Sequence, residues 1–342
     1  HYHVQWTDQF FEEHFADWTR RGLPEPTDPD EGARPLAFHH HNPRNVLHEI
    51  VKRADWLSSG MERGEQAYEQ SVHKRRRMTP VRALLTTDKT APGRIVYSPL
   101  TELTSTDDSC YPLEPKKAEK DEWLVSEYDS LWRRFLTDWQ ERQPAGLSAI
   151  CACLDSLFER YFWSVPASTV DKLPDNSLYA HSRTTAAIAA ALYLYHRDTD
   201  SLRADALGEK QQENLEKFLL VAGDLSGIQN YIFAIAHAGG GKVAKRLRAR
   251  SFYLGRITQV LAHKILLEVG LPFLNIVLGA GGKFYLLLPN TVDANEKLHS
   301  CERQCQAWLR EAFQGQLAVN IASVTLTPAD FMRKRIRGKF EE

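Results

Sequence analysis

Leu274-Asn275-Ile276-Val277-Leu278-Gly279-Ala280-Gly281-Gly282-Lys283-Phe284-Tyr285-Leu286-Leu287-Leu288 reads as two strands around a glycine turn. Leu274 to Leu278 and Lys283 to Leu288 are short apolar runs, and Gly279 to Gly282 between them carry a hairpin signal. Outward from the hairpin, Arg246 to Val269 on one side and Asn295 to Phe313 on the other space their apolar residues as amphipathic helices do. Further out, Phe218 to Ala222 is strand-like and ends at Gly223-Asp224, while Leu317 to Leu326 alternates like a strand. The order β-α-β-β-α-β predicts a ferredoxin-like domain over residues 216–330, followed by a basic tail over 331–342.

Upstream the pattern is helical. Val4 to Trp18 sets Trp6, Phe10, Phe11, Phe15 and Trp18 at helical spacing. Gly22 to Pro35, with four prolines and many acids, reads as a loop. A second helix runs from about Arg44 to Ser58, turning Val46, Leu47, Ile50, Val51, Ala54 and Leu57 inward. Residues 66–120 show weak periodicity with two short β-like pieces, and Glu122 to Trp163 regain helical spacing through a heavy aromatic stripe. A loop from Ser164 to Asp175 leads to a small-residue helix, His181 to His196, and residues 197–215 form a charged linker. The expected class is α+β: a partial helical domain over 1–65, a mostly helical continuation and linker over 66–215, then the ferredoxin-like domain.

Composition narrows the function classes. Lys and Arg total 43 against 44 Asp and Glu, which argues against a free-standing, non-specific nucleic-acid binder. Three basic clusters, His73–Arg77, Lys242–Arg250 and Arg333–Lys339, leave local phosphate contacts open, with solvated surface as the plainer reading. The longest apolar run, Ala186 to Tyr195, is ten residues, half of a membrane span, so no membrane partner is expected. Cys110, Cys151, Cys153, Cys301 and Cys305 form no disulfide framework, which fits a reducing cytoplasm. Cys301 and Cys305, i,i+4 apart, read as core or surface thiols or as half of a zinc site. The chain opens on His1 rather than Met, so 342 residues is expected to be a lower bound on the native length.

Two regions have residues suited to chemistry. Eight of the thirteen histidines fall within the first 73 residues. His39-His40-His41 precede the helix carrying Asp55, and His1 and His3 precede the first helix; imidazole and carboxylate from separate helices suit a divalent transition metal in a phosphohydrolase. The alternative is a polar histidine loop with Asp55 pairing locally, and no His-Asp dipeptide occurs in the chain. In the second region, Asp224 ends a strand and the glycine turn joins the next two. Palm-type polymerases and cyclases place metal-binding carboxylates at those two points. Here Lys283 stands where the second acid would be, so this domain taken alone binds a nucleotide at most, with Lys283 or Arg250 near phosphate. Solvation of Lys283, and capping by Asp224 of a helix starting at Ser226-Gly227-Ile228, remain the simpler readings.

Specific strings decide more than spacing. Gly223-Asp224-Leu225-Ser226-Gly227-Ile228-Gln229-Asn230-Tyr231-Ile232-Phe233 resembles the opening of the first palm in the large subunit of type III-A (Csm-type) CRISPR effector complexes. So do Arg248-Ala249-Arg250-Ser251-Phe252-Tyr253-Leu254 and the hairpin Gly281 to Pro289. Trp163 to Thr169, Asp175 to His181 with Thr184 to Ala189, and Ala54 to Arg63 look like the same family, in family order from about 39 to 290.

The resemblance implies a helical HD-type domain that cleaves single-stranded DNA, and paired palms that make cyclic oligoadenylate from ATP. It implies His39, His40 and Asp55 as remaining catalytic residues, with His3, His39, His40 and Asp55 as ligands of a divalent metal (Mg²⁺, Mn²⁺ or a transition metal). It implies Asp224, Ser226, Gly227, Arg250, Gly281, Gly282 and Lys283 as ATP-facing, with Mg²⁺ at the palm pair. Its partners would be guide CRISPR RNA, target RNA, single-stranded DNA, and the small and guide-5′-end-binding subunits. The family's HD dipeptide and Gly-Gly-Asp-Asp palm are absent, so neither cyclic product nor DNA cleavage is expected from this chain alone. Two other readings are a non-catalytic scaffold of the ribonucleoprotein and a stand-alone degenerate nucleotide cyclase-like protein.

Overall fold

A computed structural model of the chain describes residues 2–14, 21–22, 26–62, 81, 96–113, 121–168, 174–203, 207, 210–237 and 242–342. The fold is α+β and divides into two compact units, 1–183 and 184–342.

The first unit is helical: α1 (Tyr2–His14), α2 (Ala33–His39), α3 (Val46–Glu62), α4 (Asp121–Arg142), α5 (Leu147–Phe162) and the start of α6 (Leu178–Asp198). Its core is the aromatic stripe expected from 122–163. Trp139, Phe135, Leu131, Leu157 and Tyr161 are almost fully buried, and Phe135 meets the rings of Phe158, Tyr161 and Phe162. That stripe is two helices rather than one. Gln143 and Gly146 take positive φ around Pro144, which cannot continue a helix. The Gly22–Pro35 segment is not all loop either: α2 begins at Ala33, and Pro35 sits in its first turn, where no backbone N–H is required. Of the two β-like pieces expected between 66 and 120, the described residues hold a single bridge, Tyr97 to Leu113; most of that stretch and the His73–Arg77 cluster lie outside them.

The second unit is built on a four-stranded antiparallel sheet: β1 (Phe218–Ser226), β2 (Ile276–Ala280), β3 (Lys283–Pro289) and β4 (Ala318–Leu326), in the order β2-β3-β1-β4. With α7 (Ile228–His237), α8 (Val243–Val269) and α9 (Val292–Ala312) between strands, this is the ferredoxin-like arrangement expected from the element order. Alternation along β1 decides the faces. Leu219, Val221 and Leu225 join Leu254, Leu261 and Ile265 of α8 and Leu298, Cys301, Cys305 and Leu309 of α9 in one core. The two cysteines are core thiols, raised in pKa by burial. On the opposite face Phe218 packs on Phe331, and Tyr285 lies beside Phe340. Phe340 belongs to α10 (Arg333–Glu341), so the expected basic tail is a helix. No described helix is long and apolar enough to cross a membrane.

Candidate functional sites

Helix α3 buries Ile50, Ala54 and Leu57, which places Asp55 and Ser58 one turn apart at the edge of that face. His181 on α6 reaches both. Its Nε2 is 3.0 Å from Asp55 Oδ1, and its Nδ1 is 3.1 Å from Ser58 Oγ, which also lies 3.3 Å from the His181 carbonyl. The neutral ring donates from Nε2 to Asp55 and accepts from Ser58. The protonated ring donates to both, and Ser58 then donates to the carbonyl. Burial raises the Asp55 pKa, but the His181 hydrogen bond and the charges of His181, His40 and His41 outweigh it and hold the carboxyl below its ordinary value.

His40 joins this group and His39 does not. His40 Nδ1 donates to the Ala37 carbonyl at 2.5 Å, making Nε2 the basic nitrogen, and its ring centroid is 4.0 Å from that of His41. His39 points elsewhere because successive residues at a helix end diverge by about 100°. It is buried against Phe38 and His48, and burial, then Arg44 and His48, lower its pKa. His48 is itself anchored, with Nε2 donating to the Asp30 carbonyl at 2.8 Å and Nδ1 accepting from the Arg44 amide at 3.1 Å. The placing of His39 with Asp55 is therefore corrected: His39 is one half of a packed histidine pair. His1 and the side chain of His3 lie outside the described residues. Among the described residues no three His, Cys, Asp or Glu side chains gather as a metal-binding group. His181 was missed as a site residue because it lies 126 positions from Asp55; its only sequence signal was the Asp175–His181 string.

In the second unit, β1 runs through Asp224 to Ser226, so Asp224 is a strand residue and neither ends the strand nor caps a helix. In register it faces Lys283 on β3 and Asn320 on β4, on the face away from α8 and α9. Asn320 Nδ2 donates to Ser226 Oγ at 2.8 Å. The β2–β3 turn is the two residues Gly281 (φ 62°) and Gly282 (φ 93°), the type I′ conformation that matches strand twist.

Three of the expected ATP-facing residues are taken up by the fold. A Cβ on Gly227 would stand 2.0 Å from the Gln316 carbonyl oxygen, and one on Gly282 would stand 2.3 Å from Ile228 Cδ1. Arg250 donates to the Tyr231 carbonyl and stacks on the Tyr231 ring, 4.5 Å from its centroid. Asp224, Ser226, Gly281 and Lys283 remain at the exposed end of the sheet face, with one carboxylate and one cation among them. That set fits a nucleotide phosphate at Lys283 and falls short of two metal ions.

Residues 217–342 match the family described as Csm1 subunit domain B. The chain is 30% identical over 359 aligned residues to the single-strand-specific deoxyribonuclease Cas10/Csm1 (subtype III-A) of Methanocaldococcus jannaschii, over 97% of this chain and 43% of that protein. It is 40% identical over 187 residues to the Mycobacterium tuberculosis protein of the same description, over 54% of this chain and 23% of the relative. Among solved structures, a Csm1–Csm4 cassette in complex with AMPPNP is similar at TM-score 0.67 and 22% identity, over 99% of this chain and 44% of that one. A Csm1–Csm4 cassette in complex with cA3 gives 0.63 and 24%, over 98% and 39%. The chain thus spans less than half the length of these relatives, and the solved structures speak for its fold.

Proposed function

We propose that this chain, similar in sequence to the large Cas10/Csm1 subunit of subtype III-A CRISPR systems, is part of such a subunit in an RNA-guided antiviral complex. The first unit would contribute to an HD-type nuclease acting on single-stranded DNA, and the second would be the first of two palms that bind ATP. The observation that carries this reading is one alignment through both units, over 97% of the chain.

Asp55 paired with His181, with His40 and His41 acting on the same carboxylate, has the imidazole and carboxylate chemistry of part of a divalent transition-metal site, although the described residues do not by themselves gather as one. A bound cation would supply a hydroxide nucleophile and neutralise phosphate charge. His181 would orient the Asp55 carboxylate, and Ser58 would orient His181. In the palm, Lys283 would meet a triphosphate, while Asp224 across the ladder would meet its Mg²⁺. A cyclic oligoadenylate product would need a second palm bearing its own carboxylates. Partners of the whole assembly would be guide and target RNA, the small subunit and a Csm4-type subunit that holds the guide 5′ end.

A scaffold role is favoured by one observation, the engagement of Arg250 by Tyr231. The readings separate on co-expression with a Csm4-type subunit and guide RNA, followed by calorimetric titration of AMPPNP with Mg²⁺. Co-purification with nucleotide binding that weakens in Lys283→Ala supports the palm. Assembly with no nucleotide binding supports the scaffold, and failure of both rejects the complex. Mn²⁺-dependent cleavage of single-stranded DNA that survives His40→Ala and Asp55→Ala would remove the nuclease assignment.

A further inference from the structure

Helix α8 has no carboxylate before Glu268, while Lys245, Arg246, Arg248, Arg250, Arg256 and Lys264 lie along it behind Lys242. On a chain of near-zero net charge this is a local concentration of cations. Among the described residues the ion pair on α8 is Lys264 to Glu268, 3.2 Å, at its far end. Lys245, Arg248, Phe252 and Arg256 follow one another at i+3, i+4 and i+4, making a continuous outward stripe about 16 Å long. Phe252 is 66% exposed, and the Arg256 guanidinium covers one side of it, 5.1 Å from the ring centroid.

The stripe runs into a cavity of about 470 Å³ between α8 and α9. It is lined by Tyr253 and Trp308, by the apolar Ile257, Val260 and Leu261, by the cations Arg256 and Lys264, and by the Gln304 amide. Tyr253 and Trp308 both rest on Phe313, at 6.1 and 5.7 Å between ring centroids, so the two rings have a common support. An apolar groove of this kind attracts a protein helix in general. Here the cations, the stackable rings and the amide match phosphate, base face and base edge together.

We infer that the outer face of α8 and α9 binds a single-stranded polynucleotide, with phosphates along Lys245, Arg248 and Arg256 and one base inserted between Tyr253 and Trp308. This site lies across the sheet from Asp224 and Lys283 and needs neither ATP nor metal, so its failure would leave the proposals for those sites standing.

The test is fluorescence anisotropy on the 342-residue chain with labelled oligonucleotides of about 20 residues, as single-stranded DNA, single-stranded RNA and DNA duplex. Single strands should bind more tightly than the duplex, and the preferred sugar identifies which nucleic acid is the natural source. The double variant Arg248→Glu, Arg256→Glu should weaken single-strand binding at least about tenfold and reduce the salt dependence by about one to two in log–log slope. Phe252→Ala, which removes an exposed ring, should weaken it by about tenfold at little change in slope. Photo-cross-links from 4-thiothymidine in the parent chain should map to the peptides carrying Tyr253 or Trp308, which keeps the test independent of variant folding. Equal affinity for duplex, unchanged affinity in both variants, or cross-links elsewhere would overturn the site. So would loss of a co-purifying protein subunit with oligonucleotide binding intact, which would mark the groove as a protein interface.

Discussion

His181 Nε2 lies 3.0 Å from Asp55 Oδ1 and joins residues 126 positions apart in the chain. Both side chains are largely sheltered from solvent, and Ser58 meets the other ring nitrogen of His181. Asp55→Asn and His181→Ala should each lower unfolding free energy by about 1–3 kcal/mol, with a coupling of at least about 1 kcal/mol in the double mutant. Urea denaturation of the four proteins measures it. Strict additivity would mean that the pair contributes nothing.

His196 gives the second unit a pH dependence. Burial, then the charge of Lys217, whose Nζ lies 3.2 Å from Nε2, push its pKa down to about 4 against the hydrogen bond that its Nδ1–H donates to the Ser201 carbonyl. The unfolded chain takes up this proton near pH 6.5 and the folded one near 4, so the unfolded state binds more protons between them. Stability is therefore present above about pH 6.5 and falls as pH drops toward 4, by up to roughly 3 kcal/mol for this group. His196→Gln should flatten that part of the profile in urea denaturation at pH 7, 5.5 and 4.5; parallel curves would refute the assignment.

The glycines of the second unit should separate by surroundings rather than by φ. Gly227 and Gly281 have φ of +89° and +62°, but a Cβ meets the Gln316 carbonyl in the first case and nothing within 4 Å in the second. Gly281→Ala should cost about 1 kcal/mol, the left-handed penalty alone, and Gly227→Ala clearly more, about 3 kcal/mol. Thermal denaturation ranks them, and equal losses would contradict the packing argument.

Lys283 stands opposite Asp224 at the open end of the sheet, exposed and without an ion pair among the described residues. Lys283→Ala should leave the melting temperature within about 1–2 °C while weakening AMPPNP binding about tenfold. A calorimetric titration that gives the parent affinity would place the phosphate elsewhere.

The second unit was legible in the sequence because its information is local. Strand alternation, the Gly281-Gly282 turn and the helical spacing of 246–269 each depend on neighbours within a few residues, so the ferredoxin-like order followed from pattern, although the strand bearing Asp224 runs on to Ser226. The breaks were missed where one proline or glycine outweighs a long periodic run, as at Pro144 and Gly146.

The histidine site was legible only in part. The sequence by itself determined which residue types were available and that the triplet His39-His40-His41 precedes the helix carrying Asp55. It could not say which of three adjacent histidines faces Asp55, because a helix end turns each successive side chain by about 100° and packing selects one. Nor could spacing reveal His181 beside Asp55, or Tyr231 on Arg250, since a hydrogen bond between distant residues leaves no periodic trace. Those pairings exist only once the helices are packed, and tertiary structure alone decided them.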